Sequence, residues 1–370
     1  MLLRAFVTAS VSLALCMPNG RIMANEQAKV KSVRKPMNDE YLVGVYYFAG
    51  WWRPLPNKWH TNDRDWRPDY PERKPLLGEY NEQVSMDKEI AAAAKYGVEF
   101  FQIVWYPPVP GHGSKGHLER LNEGLCQFLF SPNSKRMRFT IEFVNHPPFA
   151  ITTDEGWELA CREWCAAMTH PSYLRVDGRS VFKIHSAHHF LEQNGGDEAA
   201  VQKRLDRFRR IAREYDLPDP IIGCGAVGNS DVNRYDFHST YMEIPELPLR
   251  DELYPYEELL KDAKDRWKRY SAMSAKPYVP FLPAGWDPRP WKDPRPSFSM
   301  PTKVQWTNAL QSVKTALDDD PRLGIKTDAG RQKIFVIYAW NEFGEGGIVA
   351  PTKGEKYMKL QAIKAVFGDD

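Results

Sequence analysis

The sequence has almost no surplus of either charge: 50 Lys and Arg stand against 48 Asp and Glu in 370 residues. A chain so balanced does not offer the broad basic surface that nucleic acid or an anionic membrane requires. Long apolar runs are lacking too. The run from Ala5 to Met17 falls short of the ~20 residues that span a bilayer, and no later segment is long and apolar enough, so no stable membrane span is expected. Cysteine is scarce, five in all, with no CxxC pair and no His spacing that would make a zinc site. No GxSxG elbow, P-loop or GxGxxG is present, which removes the usual marks of serine hydrolases and nucleotide binders.

What is present is aromatic. Twelve Trp, 17 Tyr and 18 Phe, with 42% hydrophobic residues overall, supply a real core and a surplus of flat rings with polar edges. That composition excludes disordered and collagen-like classes.

The first residues, Met-Leu-Leu-Arg, the short apolar run, and Ile22-Met23-Ala24 as a cleavage site read as a secretory signal peptide over 1–24. A secreted or periplasmic location is therefore expected. Leu13-Ala14-Leu15-Cys16 offers lipid anchoring at Cys16 as the alternative, but a lipobox wants a small residue where Leu15 stands. With Cys16 removed, Cys126, Cys161, Cys165 and Cys224 remain, to be read as buried thiols or as one structural disulfide. Residues 25–40, basic and without periodicity, read as a linker.

From residue 41 onward, β-branched or aromatic runs alternate with amphipathic stretches, so 41–370 reads as one domain. Strands are expected at 43–48, 100–105, 139–145, 181–185, 221–225, 237–243, 278–282 and 334–340. Helices are expected at 81–96, 118–130, 154–168, 198–215, 256–273, 302–317 and 356–367. Several strands are apolar on both faces, as a parallel sheet covered by helices requires. Eight such units predict an α/β fold, a single (β/α)8 TIM barrel with long loops on its C-terminal face. The short Gly/Asn-rich link at 226–235 leaves a helix between the fifth and sixth strands in doubt. The excess length falls in loops after strand ends, at 49–80, 107–117 and 283–301, where barrels build their sites. Six prolines stiffen the last of these.

In a barrel, the residues at the strand C-termini share one mouth. Here these are Tyr46, Tyr47, Trp51 and Trp52 after the first strand, Trp105 and Tyr106 after the second, and Asn145 and His146 after the third. His185 ends the fourth and Glu243 the sixth; Trp286, Asp287 and Arg289 follow the seventh, and Trp340 and Asn341 the eighth. Rings with Asn, His, Asp and Arg between them suit a sugar, which has apolar faces and hydroxyl edges. An oligosaccharide or polysaccharide is the expected partner.

Glu342 and Glu345 carry the chemical signal, three apart directly after the most apolar strand. On a continuing strand they would point oppositely, but Gly344 permits a turn that brings them within about 5–6 Å at Cβ. Glycoside cleavage needs such a carboxyl pair, one protonating the departing oxygen and one acting as base or nucleophile. Two acids held close also push their pKa values apart. Glu142 with Glu342 is the alternative pair, although Glu142 lies mid-strand. His185, His188 and His189 could ligate a metal, but no carboxylate stands at metalloprotease spacing; neither metal nor cofactor is expected.

Val43-Gly44-Val45-Tyr46-Tyr47-Phe48, Asn145-His146, Gly285-Trp286-Asp287-Pro288-Arg289 and Ala339-Trp340-Asn341-Glu342-Phe343-Gly344-Glu345-Gly346 occur in that order along the chain. Together they resemble the glycoside hydrolase family 99-like proteins, often named WbsX-type glycosyltransferases, over about residues 41–368. The resemblance implies a (β/α)8 barrel related to retaining endo-α-mannosidases. It also implies Glu342 as the base that deprotonates the substrate's 2-hydroxyl, so that this oxygen displaces the leaving group through an anhydro-sugar, and Glu345 as general acid/base. The family has Trp-His between the acids where this chain has Phe343-Gly344. A glycoside hydrolase is the leading expectation. A WbsX-type glycosyltransferase, which would need a nucleotide-sugar donor, and a catalytically silent glycan-binding barrel are the alternatives.

Overall fold

The computed structural model describes residues 40–53, 57–107 and 119–368. The leader expected over 1–24, Cys16, the linker apart from Glu40, and most of the 107–117 loop lie outside the described residues.

Eight barrel strands run through the chain: β1 Tyr41–Tyr47, β2 Phe100–Trp105, β3 Arg138–Phe143, β4 Arg179–Ile184, β5 Ile221–Cys224, β6 Phe237–Ser239, β7 in two pieces, Tyr278–Val279 and Phe281–Pro283, and β8 Gly330–Tyr338. Each pairs in parallel with the next, and β8 returns to β1 with Leu42 opposite Ile334. Pro280 divides β7. The piece before it pairs with β6 and the piece after it with β8, because a residue without an N–H cannot carry the ladder across. The expected α/β barrel is the observed fold, with every expected strand present and most boundaries shifted by one to four residues.

The outer layer consists of α1 Gln83–Lys95, α2 Glu123–Phe130, α3 Asp154–Met168, α4 Ala187–Gln193, α5 Glu198–Glu214, α6 Tyr256–Ser271, α7 Lys303–Asp319 and α8 Met358–Phe367. Several begin at side-chain caps. Thr153 accepts from Gly156 N, Ser186 from His189 N and Asp197 from Ala199 N, while Thr302 and Gln305 form a capping box. Between β5 and β6 there is only the 3-10 turn Val232–Arg234. This link is fastened to α5 by charge: Arg234 Nε lies 2.7 Å from Glu198 and Arg209 lies 3.5 Å from Asp236. Asp236 also accepts Ile222 N at 2.8 Å.

Rings fill both sides of the sheet. Trp164 of α3 packs on Phe182 of β4 at 4.7 Å and on Phe208 of α5 at 5.5 Å, among the free, buried thiols Cys161, Cys165 and Cys224. Each such buried ring contributes about 1.5–3 kcal/mol. Phe100 lies across Gly44 on the neighbouring strand and Phe237 across Gly223, so a side chain at either glycine would occupy the space of the facing ring.

A Gly44→Ala change is expected to destabilise the fold by about 1–3 kcal/mol through overpacking. Chemical denaturation checks this, and Phe100→Leu in the same chain should recover part of the loss.

Candidate active site

β8 ends at Tyr338, and the chain leaves the barrel as a tight hairpin whose arms, Asn341–Glu342 and Gly347–Ile348, pair antiparallel. The Glu342 carbonyl accepts from the amides of Glu345 at 3.1 Å and Gly346 at 2.8 Å, so the chain turns back on itself between the two acids. Two glycines make this turn feasible. A Cβ on Gly344 would run into the Trp291 ring, and Gly346 has a φ of 83°, in the left-handed region.

The hairpin is anchored from three directions. The Asn341 side chain mimics a strand, accepting Phe48 N at 2.9 Å and donating to Phe48 O at 2.8 Å. Buried Arg73 donates to Phe343 O at 2.9 Å and Asp287 O at 3.0 Å and pairs with the Asp287 carboxylate. The Asp287 amide in turn donates to Glu345 O at 2.6 Å. The Phe343 ring is stacked on Trp59 at 5.2 Å and packed by Trp51 at 5.1 Å.

The two carboxyls differ in surroundings. Glu342 is buried; Tyr241 donates its hydroxyl to Oε1 at 2.8 Å, and Oε2 is buried with no hydrogen-bond partner among the described residues. Glu345 is a little more open, receives the Tyr338 hydroxyl on Oε2, and has Arg295 Nη2 3.9 Å from Oε1. Burial, then the charge of Glu345, pushes Glu342 well above the ordinary carboxylate range. Burial also raises Glu345, opposed by the Tyr338 hydroxyl and by Arg295. Two acids raised in this way both favour the protonated form more than free carboxylates do, and each opposes ionisation of the other.

Rings run from one acid to the other side of the mouth. Tyr241 lies 4.5 Å from Tyr46, 5.1 Å from Tyr338 and 5.1 Å from His185, which is 5.6 Å from His146; Trp286 is 6.0 Å from Tyr338. Tyr106 feels the charges of both Glu342 and Glu345. Tyr106 therefore stands near the acid pair, Tyr46, His185 and Trp286 pack against the tyrosines that bond it, and His146 lies beyond His185.

Other expected site residues are committed elsewhere. Tyr47 donates to Glu89 of α1 at 2.8 Å and Trp105 to Glu163 of α3 at 2.8 Å, while Trp340 packs 5.1 Å from Phe101; all three face the helices. Burial pushes Glu89 and Glu163 up to about 7. Asn145 clasps Ser186 through both its amide atoms, and Glu243 is held by Arg266 and Tyr270 of α6. Asp287 and Asn341 serve as anchors of the hairpin, and Arg289 lies exposed against Asp287 at 2.6 Å. Trp51 and Trp52 are buried; Trp51 forms a cluster with Trp59 at 4.2 Å and gives its indole N–H to Asn341 O, so it offers no open face.

Glu142 does not pair with Glu342. Burial alone would raise it, but Lys183 at 3.2 Å, His185 Nδ1 at 2.6 Å and Gln102 Nε2 at 2.5 Å hold its carboxyl below the usual range. It is a buried anion that orients His185. His188 faces Glu192 at 3.4 Å.

Sequence reasoning missed Tyr241, Tyr338, Arg295 and Arg73. Tyr338 lies inside the strand expected at 334–340, which the structure ends two residues earlier, at Tyr338 itself. Arg73 carried no local signal, since its partners are more than 200 residues away.

No protein-family model matches the chain, and no curated protein is similar to it in sequence. Among solved structures, a GH99 endo-alpha-mannosidase from Bacteroides thetaiotaomicron is similar at 14% identity with a TM-score of 0.55, over 90% of this chain and 99% of that one. A second structure, of a GH99 endo-alpha-mannosidase in complex with BIS-TRIS-propane, is similar at 14% identity with a TM-score of 0.53, over 89% and 96%. The chain shares their fold. At this identity the likeness is one of architecture, consistent with the barrel described above.

Because Glu342 is raised in the folded chain, folding takes up a proton there, and stability falls as pH climbs from about 4.5 through the raised value. A Glu342→Gln chain has no such loss. Its melting temperature should match the wild type near pH 4.5 and exceed it increasingly toward pH 8, as calorimetry at a series of pH values would record.

Proposed function

We propose that this protein is a glycoside hydrolase acting on a complex glycan or polysaccharide. The observation that carries the reading is the buried, unpartnered Oε2 of Glu342 beside the second carboxyl of Glu345. An orphaned buried acceptor costs about 1–3 kcal/mol, and a substrate hydroxyl is the group that would satisfy it. Such a hydroxyl also biases which of the two acids ionises first. Donation to Oε2, together with the Tyr241 hydroxyl on Oε1, stabilises the Glu342 anion and leaves the proton on Glu345.

That distribution is the one the roles require. Glu342 draws the proton from a substrate hydroxyl while Glu345 protonates the departing oxygen; Glu345, then anionic, activates the incoming water. Tyr106, Tyr241, His146 and His185, which are partly exposed, supply ring faces and polar edges for the sugar. The family 99-like motif order and the shared barrel with GH99 endo-alpha-mannosidase support an α-mannoside-type linkage cleaved with retention. The signal peptide expected over 1–24 is the ground for export, with the protein secreted or periplasmic.

The test is product analysis by mass spectrometry on a panel of α-mannans and other glycans. Wild type should release oligosaccharides, and Glu345→Gln should slow release by about 10²-fold or more with an unchanged fold. Binding of glycans without any release would favour a silent glycan-binding barrel, and equal release by both proteins would remove Glu345 from its role. Release that depends on a nucleotide-sugar donor would favour the WbsX-type transferase.

A further inference from the structure

The loop after β7 brings a third carboxylate and an arginine to the acid pair. Arg295 Nε lies 3.0 Å from both Asp293 oxygens, and Nη2 lies 2.6 Å from Oδ2; the Arg295 amide donates to Oδ1 at 2.9 Å. The same Nη2 is 3.9 Å from Glu345 Oε1. The guanidinium carbon sits 4.5 Å above the Trp286 ring, which is itself buried. Stacking on the ring adds a cation–π attraction that holds the guanidinium over Trp286. Half of the Arg295 side chain is exposed, and its bonds to Asp293 leave it within charge range of Glu345.

We propose that Arg295 is the counter-ion of Glu345, held by Asp293 where its charge acts on both carboxylates. The proposal rests on the glycosidase reading and adds the residue that lets one acid be both protonated and ionised within a single cycle. As the glycosidic C–O bond breaks, its electron pair stays on the departing oxygen, which takes the proton of Glu345. The new carboxylate then faces the Arg295 guanidinium, whose charge stabilises it. Glu345 afterwards takes a proton from the attacking water. Arg295 is a positioning residue here, because it touches Glu345 and not the sugar.

The groups around Glu345 are Tyr338 of β8, Glu342 across the hairpin, Tyr241 after β6, Tyr106 after β2, Lys58 after β1, and Arg295 and Asp293 after β7. Tyr338, Arg295 and Lys58 favour its anion, whereas burial and Asp293 favour its acid. Loss of the arginine and loss of the aspartate charge must therefore act in opposite directions, which a purely structural role for the pair would not produce.

The experiment follows the pH profile of kcat/KM on a glycan that wild type cleaves, together with carbon NMR titration of the Glu345 carboxyl in a Glu342→Gln background, where no second acid shares the proton. Arg295→Gln should move the alkaline limb and the Glu345 titration upward by at least about half a pH unit. Asp293→Asn should move both downward, and Arg295→Lys should stay nearer wild type. Shifts of the same sign in Arg295→Gln and Asp293→Asn, or no shift in either, overturn the proposal. The NMR titration needs no turnover, so an inactive wild type counts against the glycosidase reading alone.

Discussion

Everything at the mouth of this barrel hangs from the seam where the last strand meets the first. β1 and β8 pair along their length, and past the end of regular pairing the seam continues through Trp340 N on Tyr46 O at 2.7 Å and the two-way clasp of Asn341 on Phe48. The acid hairpin begins at that clasp. Its root is therefore set by ring closure of the sheet, and its tip by the loop residues Arg73 and Asp287 that bond its backbone.

Upon that seam the structure builds an asymmetry. Both acids are buried and both are raised, but their neighbours differ: one tyrosine and an empty oxygen for Glu342, one tyrosine and an arginine for Glu345. Arg73 and Asp287 hold the peptide between them by bonds to backbone groups, so the turn cannot open to relieve the repulsion. The strain of placing two carboxyls together is borne by a clamp that is itself buried, and relief comes by binding a proton or a hydroxyl.

The strands were legible because runs such as 100–105 and 334–340 are apolar on both faces and bounded by polar turns, and the weak β5–β6 link was legible from its composition. Side-chain direction was not. Tyr46 reaches the mouth while Tyr47, its neighbour, turns to Glu89, as alternation along β1 demands. Beyond the regular strands that rule lapses. Tyr338 bonds Glu345 but Trp340, two residues on, faces the helices, and Tyr241 meets Glu342 while Glu243 turns to Arg266. Asn145, Asp287 and Asn341 read as ligand-binding residues because their types suit sugars, yet the same amides and carboxylates suit exposed backbone ends equally well, and here the backbone claims them. Arg73 and Arg295 belong to loops whose paths no local pattern encodes.

The missing helix between β5 and β6 leaves one flank of the barrel unlike the others. Elsewhere buried rings join helix to strand, but here Arg234 on Glu198 and Arg209 on Asp236 tie the link to α5 across partly exposed surface. Ionic strength therefore acts unevenly on this molecule. Added salt screens those pairs while strengthening apolar burial elsewhere, so amides of 226–236 become the first to exchange with solvent in brine, in a barrel that is otherwise tightened by it.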